Sequence, residues 1–425
     1  MPSRRDFLAA LGAGGVGALA GCSSRRSPSG WWPRAGFDDG NTGYAPEQSG
    51  PGGEASVRWS FEFPRQGWYS VSSPVVAGDR AFVGYGEPAA DDASARVGLR
   101  VLDLATGESV RDVTVATYDG DAPGRALHVD STVVGDGSVY LLSWDGMYSY
   151  APDGERRWRV PTGGVPDVSA HRTGHPVVVD DAVYATTAGF ALLSDDPAAT
   201  EAAYAIDDAT GEIRWRYEMP ERTYTPAYAD ETVYATAFQH GVVALDAVTG
   251  EVRWERSAPV EGPPTVRDGR VYVPEQDDTG TALRALDAAT GESVWNVGTE
   301  EPGPRGVAAT DDWLFHRERA TEVVAREAAS GDVVWRTEGP GAVSEGTPTV
   351  TDDGLYVGVG TRDGSRVAVL DPASGEELGV VGRRDVNGEL GSLALADDLA
   401  VVSNTSGVVY AVEACSLSVA GHCLG

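Results

Sequence analysis

The sequence predicts an all-β protein: an eight-bladed β-propeller of four-stranded blades, closed by an N-terminal strand that completes the last blade. Three observations carry this expectation. One motif recurs along the chain, the segments between its copies alternate apolar and polar residues, and the final copy lacks an outer strand that is present at the other end. The motif reads Ala205-Ile-Asp-Asp-Ala-Thr-Gly-Glu-Ile-Arg-Trp215 and returns as Ala244-Leu-Asp-Ala-Val-Thr-Gly-Glu-Val-Arg-Trp254 and Ala285-Leu-Asp-Ala-Ala-Thr-Gly-Glu-Ser-Val-Trp295. Weaker copies end at Arg111, Trp158, Trp335 and Gly379. The turn glycines stand at 107, 154, 211, 250, 291, 331 and 375, at spacings of 47, 57, 39, 41, 40 and 44. Periods of this size mark repeat architectures.

Each unit reads as four short strands, A to D. In the seventh they are Thr347–Thr351, Leu355–Gly360, Arg366–Leu370 and Glu377–Val381. Val, Tyr, Leu and Ala alternate with the period of two expected of strands. Asp-Asp-Gly joins A to B. Asp-Pro-Ala-Ser-Gly joins C to D, with a short acceptor opening the turn and a glycine free to take positive φ. Such a unit cannot bury both faces alone, and radial packing against neighbours solves the problem. The tryptophans at 59, 158, 215, 254, 295 and 335 then wedge between blades as docking residues.

The last copy, Gly391 to Ala414, has A, B and C but no D. The missing strand is Ala55-Ser-Val-Arg-Trp59-Ser-Phe-Glu-Phe63. Joining the two ends in one blade leaves no free edge. The expected organisation is therefore a signal over residues 1–22, a tether and lead-in over 23–54, the propeller over 55–415 and a tail over 416–425. Two cysteines, Cys415 and Cys423, lie at that tail. Outside the cell they could pair, closing a loop worth roughly 2.5 kcal/mol.

The first 22 residues read as an address. Arg4 and Arg5 precede Phe7-Leu8 and a Gly/Ala-rich stretch too short to span a bilayer. The arginine pair resembles the twin-arginine export signal. Leu19-Ala20-Gly21-Cys22 resembles a lipobox, in which Cys22 becomes the lipid-bearing first residue of the mature chain. Together they place the protein on the outer face of the cell membrane, held by lipid at Cys22.

Charge excludes several functions. The 425 residues include 64 acidic and 33 basic ones, all 33 of them Arg, for a formal charge of −31. A polyanion is repelled, so a general nucleic-acid binder is ruled out. An acidic chain with no lysine resembles proteins of extreme halophiles, haloarchaea in particular. At 1 M salt the Debye length is about 3 Å, so carboxylate repulsion is screened. With so many carboxylates, acidic pairs arise by chance and do not mark a catalytic centre.

The Ala-x-Asp-x-x-Thr-Gly-x-x-x-Trp run resembles the tryptophan-docking motif of the pyrroloquinoline-quinone (PQQ)-type propeller repeat. That repeat occurs in quinoprotein alcohol dehydrogenases and in the BamB lipoproteins that assist outer-membrane barrel assembly. The resemblance covers residues 55 to 415 and implies the fold rather than the function. It implies a quinone only where adjacent cysteines form a disulfide beside a calcium, and no adjacent cysteines occur here. The stretch from Trp31-Trp32-Pro33 to Asn41-Thr42-Gly43-Tyr44 is similar to the lead-in of exported archaeal members, and is expected to pack on the propeller rim.

In a propeller, A–B and C–D turns share one face, and B–C and D–A connections share the other. Here the turns are short and uniform. Length varies on the loop face, in Glu87–Arg96, Gly189–Glu201, Ala116–His128 and Pro161–His175. Function tends to sit on variable loops held by a rigid scaffold. Candidate binding residues toward that face are Trp68, Tyr69, His128, Trp144, His171, His175, Phe238, His240 and His316. No histidine spacing suits a metal, and no nucleophile elbow, phosphate loop or zincin motif occurs. The sequence therefore points to a monomeric, non-enzymatic scaffold without cofactor or metal, binding an extracytoplasmic protein or extended ligand. The contrasting reading is a quinoprotein-type redox enzyme or PQQ binder.

Overall fold

The computed structural model describes residues 28–52, 55–63, 70–88, 94–119, 129–135, 137–143, 146–161, 174–187, 201–219, 223–238, 240–277, 280–339, 341–344, 346–361, 364–382, 390–404, 406–414, 418–419 and 422–423. Eight antiparallel blades follow one another around a ring. Their innermost A strands are Val75–Gly78, Val129–Gly135, Val177–Val179, Ala227–Ala229, Thr265–Arg267, Val307–Ala309, Thr349–Val350 and Ala394–Ala396, numbered here as blades 1 to 8. The described residues include no helix.

The closing strand lies where the sequence places it. Ala55–Glu62 pairs antiparallel with Val408–Ala414, the C strand of blade 8, in the register Trp59↔Ala411. Alternation explains the layers. B and C strands such as Thr232–Ala237 and Gly241–Asp246 are buried almost throughout, whereas the D strand Val252–Ser257 alternates exposed and half-buried residues. Blades pack face to face through apolar side chains, so the core is a ring of inter-blade seams, such as the one joining Val177, Tyr184 and Trp215 to Val233 and Leu245.

Each residue of the recurring motif has a physical task. Its alanine sits opposite the tryptophan in the ladder, as in Ala244↔Trp254 and Ala285↔Trp295, and a β-bulge follows at once. The aspartate caps the C–D turn: Asp246 Oδ1 accepts from Thr249 N at 2.9 Å and Thr249 Oγ1 at 3.0 Å. Hydrogen bonding from Arg253 and from the turn pulls the Asp246 carboxyl down to about 2. The glycine takes positive φ, 73° at both Gly250 and Gly291.

The tryptophan then reaches the next blade. Trp254 Nε1 donates to Ala288 O and Trp215 Nε1 to Ala247 O, both at 2.9 Å, and Trp59 Nε1 donates to Leu104 O across the closing seam at 2.9 Å. Trp158, Trp295 and Trp335 do the same at 2.6, 3.1 and 2.9 Å. Each indole covers the turn glycine it meets: a Cβ at Gly291 would come within 2.6 Å of Trp254, and one at Gly375 within 2.5 Å of Trp335. Trp59→Ala should therefore lower stability by about 3–5 kcal/mol, as truncation of a buried Trp usually does. Thermal melting in molar salt checks this, and a loss below about 1 kcal/mol would remove Trp59 from the closure.

The lead-in does not pack on the rim, as the sequence suggested. It lies inside the ring, against the A strands. Gly30–Trp32 adds a strand to blade 1, pairing with Val76–Gly78. The physical reason is an inner edge rich in unpaired main-chain groups, which a segment with free carbonyls can satisfy.

Candidate functional site

Residues 29–50 make one circuit of the central channel, visiting the blades in ring order. Ser29 N donates to Asp397 Oδ2 in the A–B turn of blade 8 at 2.9 Å. After the blade 1 pairing, Pro33 O accepts from Val134 N of blade 2 at 2.7 Å. Arg34 Nη2 donates to His175 O, just before the A strand of blade 3, at 3.1 Å. Asp39 O, Gly40 O, Thr42 O and Gly43 O then accept from Tyr228, Val266, Ala309 and Val350 of blades 4 to 7, all between 2.7 and 2.8 Å. A Cβ on Gly50 would collide with Tyr356 of blade 7 and Leu395 of blade 8. We call this segment the strap.

Local sequence explains the path. Turning within a narrow channel needs left-handed backbone, found at Gly36, Phe37, Asn41 and Gly43 with φ of 82°, 67°, 58° and 62°. Asp38 caps the turn through Thr42 N at 2.9 Å and Thr42 Oγ1 at 2.6 Å. Burial raises the Asp38 pKa against the effect of those bonds.

The strap fixes the channel's electrostatics. Arg34 is only 2% exposed and no carboxylate forms a direct ion pair with it among the described residues. It is held by carbonyls: Asp38 O at 2.9 Å, His175 O at 3.1 Å and Pro226 O at 3.5 Å. Burial pulls its pKa to about 10, with Asp39 and Asp38 opposing. Asn41 Nδ2 joins it, donating to Pro226 O and Pro264 O at 3.0 Å each. Among the described residues, Trp32 Nε1, Arg34 Nε, Asn41 Oδ1 and His175 Nδ1 are buried without a protein partner, which leaves polar groups that water can satisfy.

The sequence candidates separate into two groups. Trp68, Tyr69, His128, Trp144 and His171 lie outside the described residues, as do Arg4, Arg5, Cys22 and Cys415. Cys423 sits in a short hairpin, opposite Ser418. The four remaining candidates do not converge. His175 is half-buried under the strap; burial, aided by Arg34, brings its pKa down to about 3. Phe238 packs beside Tyr224 and Tyr234 of blade 4. His240 lies in the B–C turn of that blade, with Nε2 3.1 Å from Glu255 Oε1.

His316 is no part of a surface, which corrects its assignment to a binding face. It is fully buried in blade 6. Its Nδ1 donates to Arg317 O at 2.9 Å and its Nε2 accepts from Arg326 Nε at 3.1 Å. Burial brings its pKa down to about 4. Arg326 in turn pairs with Glu318 at 3.0 Å, and Arg336 reaches Glu318 and Glu322, each at 3.1 Å. The arrangement holds a B strand to its C and D neighbours by charge. Sequence reasoning missed the structural role of Trp32, Arg34 and Asn41 inside the ring. The available signal was a Trp pair followed by a lone Arg in a segment otherwise reading as linker.

Among the described residues, no group of three or more His, Cys, Asp or Glu side chains could hold a metal ion, and no helix is long and apolar enough to cross a membrane. A quinone fits poorly. The cysteines at 22, 415 and 423 are not adjacent, and the chain's own strap lies along the inner A strands.

Comparison with known proteins gives the family. The family model described as "Outer membrane protein assembly factor BamB" matches residues 199–303 and 279–416, together just over half of the chain. The chain belongs to this family. Its BamB-type repeat is shared with proteins of different activity. A quinoprotein ethanol dehydrogenase of Pseudomonas aeruginosa is 31% identical over 142 residues, 30% of this chain and 21% of that protein. The serine/threonine-protein kinase AfsK of Streptomyces griseus is 28% identical over 300 residues, 66% of this chain and 29% of the kinase. The chain thus spans less than a third of the length of these curated relatives. Among solved structures, BamB from Moraxella catarrhalis superposes with a TM-score of 0.57 at 16% identity, covering 85% of this chain and all of that one. A quinohemoprotein alcohol dehydrogenase from Comamonas testosteroni gives 0.64 at 14% identity, covering 95% and 83%. At such identities the likeness is one of fold.

Proposed function

We propose that this BamB-family chain is a non-enzymatic, lipid-anchored extracytoplasmic propeller. It binds another protein or an extended ligand through the face that carries its B–C and D–A connections. The observation that carries this reading is the strap. It enters at the turn face and occupies the inner A-strand edges, while the turns themselves are committed to blade docking, so the surface left to vary is the loop face. Export by the twin-arginine route and lipid at Cys22 of a monomer suit such a role, as does an acidic surface adapted to high salt.

The experiment places a photo-crosslinking residue at Gln276 or Ala320, both exposed on the loop face, and at Val248 on a C–D turn. In intact cells, loop-face positions should form a discrete adduct and Val248 should not. Adducts from Val248 alone would reject the reading.

The second reading, a quinoprotein-type redox enzyme or PQQ binder, is favoured by the quinoprotein ethanol dehydrogenase match. Titrating the protein with PQQ and calcium separates the two. The scaffold reading expects the absorption spectrum of free PQQ throughout, and a saturable spectral shift would favour the enzyme.

A further inference from the structure

We infer that the strap orients the anchored protein, holding its turn face toward the membrane and its loop face outward. The inference rests on the lipid-anchor reading of Cys22 and adds a direction to it. The strap enters the ring on one face only. Ser29 binds Asp397 in the A–B turn of blade 8, through both N at 2.9 Å and Oγ at 3.3 Å. Gly30 pairs with Gly78 beside the A–B turn of blade 1. Arg34 and Asn41 reach the loop end of the A strands at His175, Pro226 and Pro264, and the strap then returns to the turn side, where Tyr44 Oη donates to Asp352, in the A–B turn of blade 7, at 2.8 Å. The closing strand also starts there, since Ala55 pairs with Ala414 at the turn end of the blade 8 C strand.

Reach does the rest. Six residues separate Cys22 from Ser29, and the seven steps between them span at most about 25 Å. The entry point is at an A–B turn on the inner edge of the ring, so the tether pulls near the centre of the turn face rather than on its outer edge. A B strand such as the eight-residue Arg270–Asp277 is about 26 Å long at about 3.3 Å per residue. A fully stretched tether therefore barely covers the thickness of the ring. It cannot also pass around the ring's side to let the loop face approach the lipid. Acidic A–B turns such as Asp311-Asp312 and Asp397-Asp398 do not oppose this placement. At 1 M salt their field decays over about 3 Å.

The test uses the full chain in membrane vesicles from cells that make it, with a lipid-soluble energy-transfer acceptor. A bio-orthogonal donor dye is placed at Val248 on the turn face, or at Gln276 or Ala320 on the loop face. Transfer should be severalfold stronger from Val248 than from either loop-face site. Inserting a long Gly/Ser stretch after Ser23 should abolish the difference without releasing the protein. Equal transfer, or stronger transfer from Gln276 and Ala320, in protein that floats with the vesicles would overturn the orientation alone, as would a difference that survives the longer tether. Protein that does not float with the vesicles would overturn the anchor reading and the orientation with it.

Discussion

Deleting residues 23–50 is expected to destabilise the ring almost as severely as deleting residues 23–64. On the sequence alone the shorter deletion removes a tether and part of a lead-in. In the structure it removes a segment bonded to the A strands of six blades, 1, 2, 4, 5, 6 and 7. Each main-chain hydrogen bond is worth about 1 kcal/mol net, and loss of the buried Trp32 side chain costs about 3–5 kcal/mol. Water can enter the emptied channel and satisfy the freed donors, so the net values apply. Their sum reaches the roughly 5–15 kcal/mol that holds an ordinary domain together. Melting curves in molar salt on both truncations, with Trp32→Ala beside them, measure the effect. A 23–50 deletion that melts like the intact protein would show that the channel does not need its strap.

The second large effect is expected in blade 6. Glu318 is 1% exposed, between Arg326 at 3.0 Å and Arg336 at 3.1 Å. Burial opposes its charge, and the neighbouring cations outweigh burial and keep its pKa below the ordinary value. Glu318→Leu strands the buried Arg326 guanidinium and should cost about 3–5 kcal/mol. Glu318→Leu combined with Arg326→Met removes both charges and should cost distinctly less, because a buried pair contributes little over an apolar replacement. A double variant as unstable as the sum of the singles would contradict this.

His316 adds a pH signature to the same network. Its pKa is about 4 in the fold against 6.5 for a free histidine. Between those values the unfolded chain binds the proton and the folded one does not, so stability falls as pH falls through that window and is complete above it. His316→Gln should flatten that slope in acid melts, and an unchanged slope would assign it to other groups, His175 among them.

These expectations show what a sequence can carry. The motif was legible because side chains at fixed spacing do the work: Ala244 makes room for Trp254, Asp246 caps a turn, and Trp254 covers Gly291. Blade closure was legible because Trp59 keeps the pattern of the strand missing from the last copy. The strap was not. Its contacts run through the carbonyls of Pro33, Asp39, Gly40, Thr42 and Gly43, and main-chain bonding leaves no period in the side chains. Its Gly, Asp and Asn content, needed for left-handed turns at Gly36 and Asn41, is also the composition of a linker. His316 misled for a related reason. It stands near the end of a B strand, and position alone does not say that Arg326 waits across the ladder to satisfy it.

The most direct test of an internally strapped ring is amide hydrogen exchange resolved to single residues. The amides of Val134, Tyr228, Val266, Ala309 and Val350 all donate to strap carbonyls. In the intact protein they should exchange as slowly as the amides of the B and C strands, because releasing them requires the strap to leave. If these five exchange rapidly while the B and C strands stay protected, the strap is not seated in the channel. The strapped channel and the orientation that rests on it would then fail together, while the ring itself would stand.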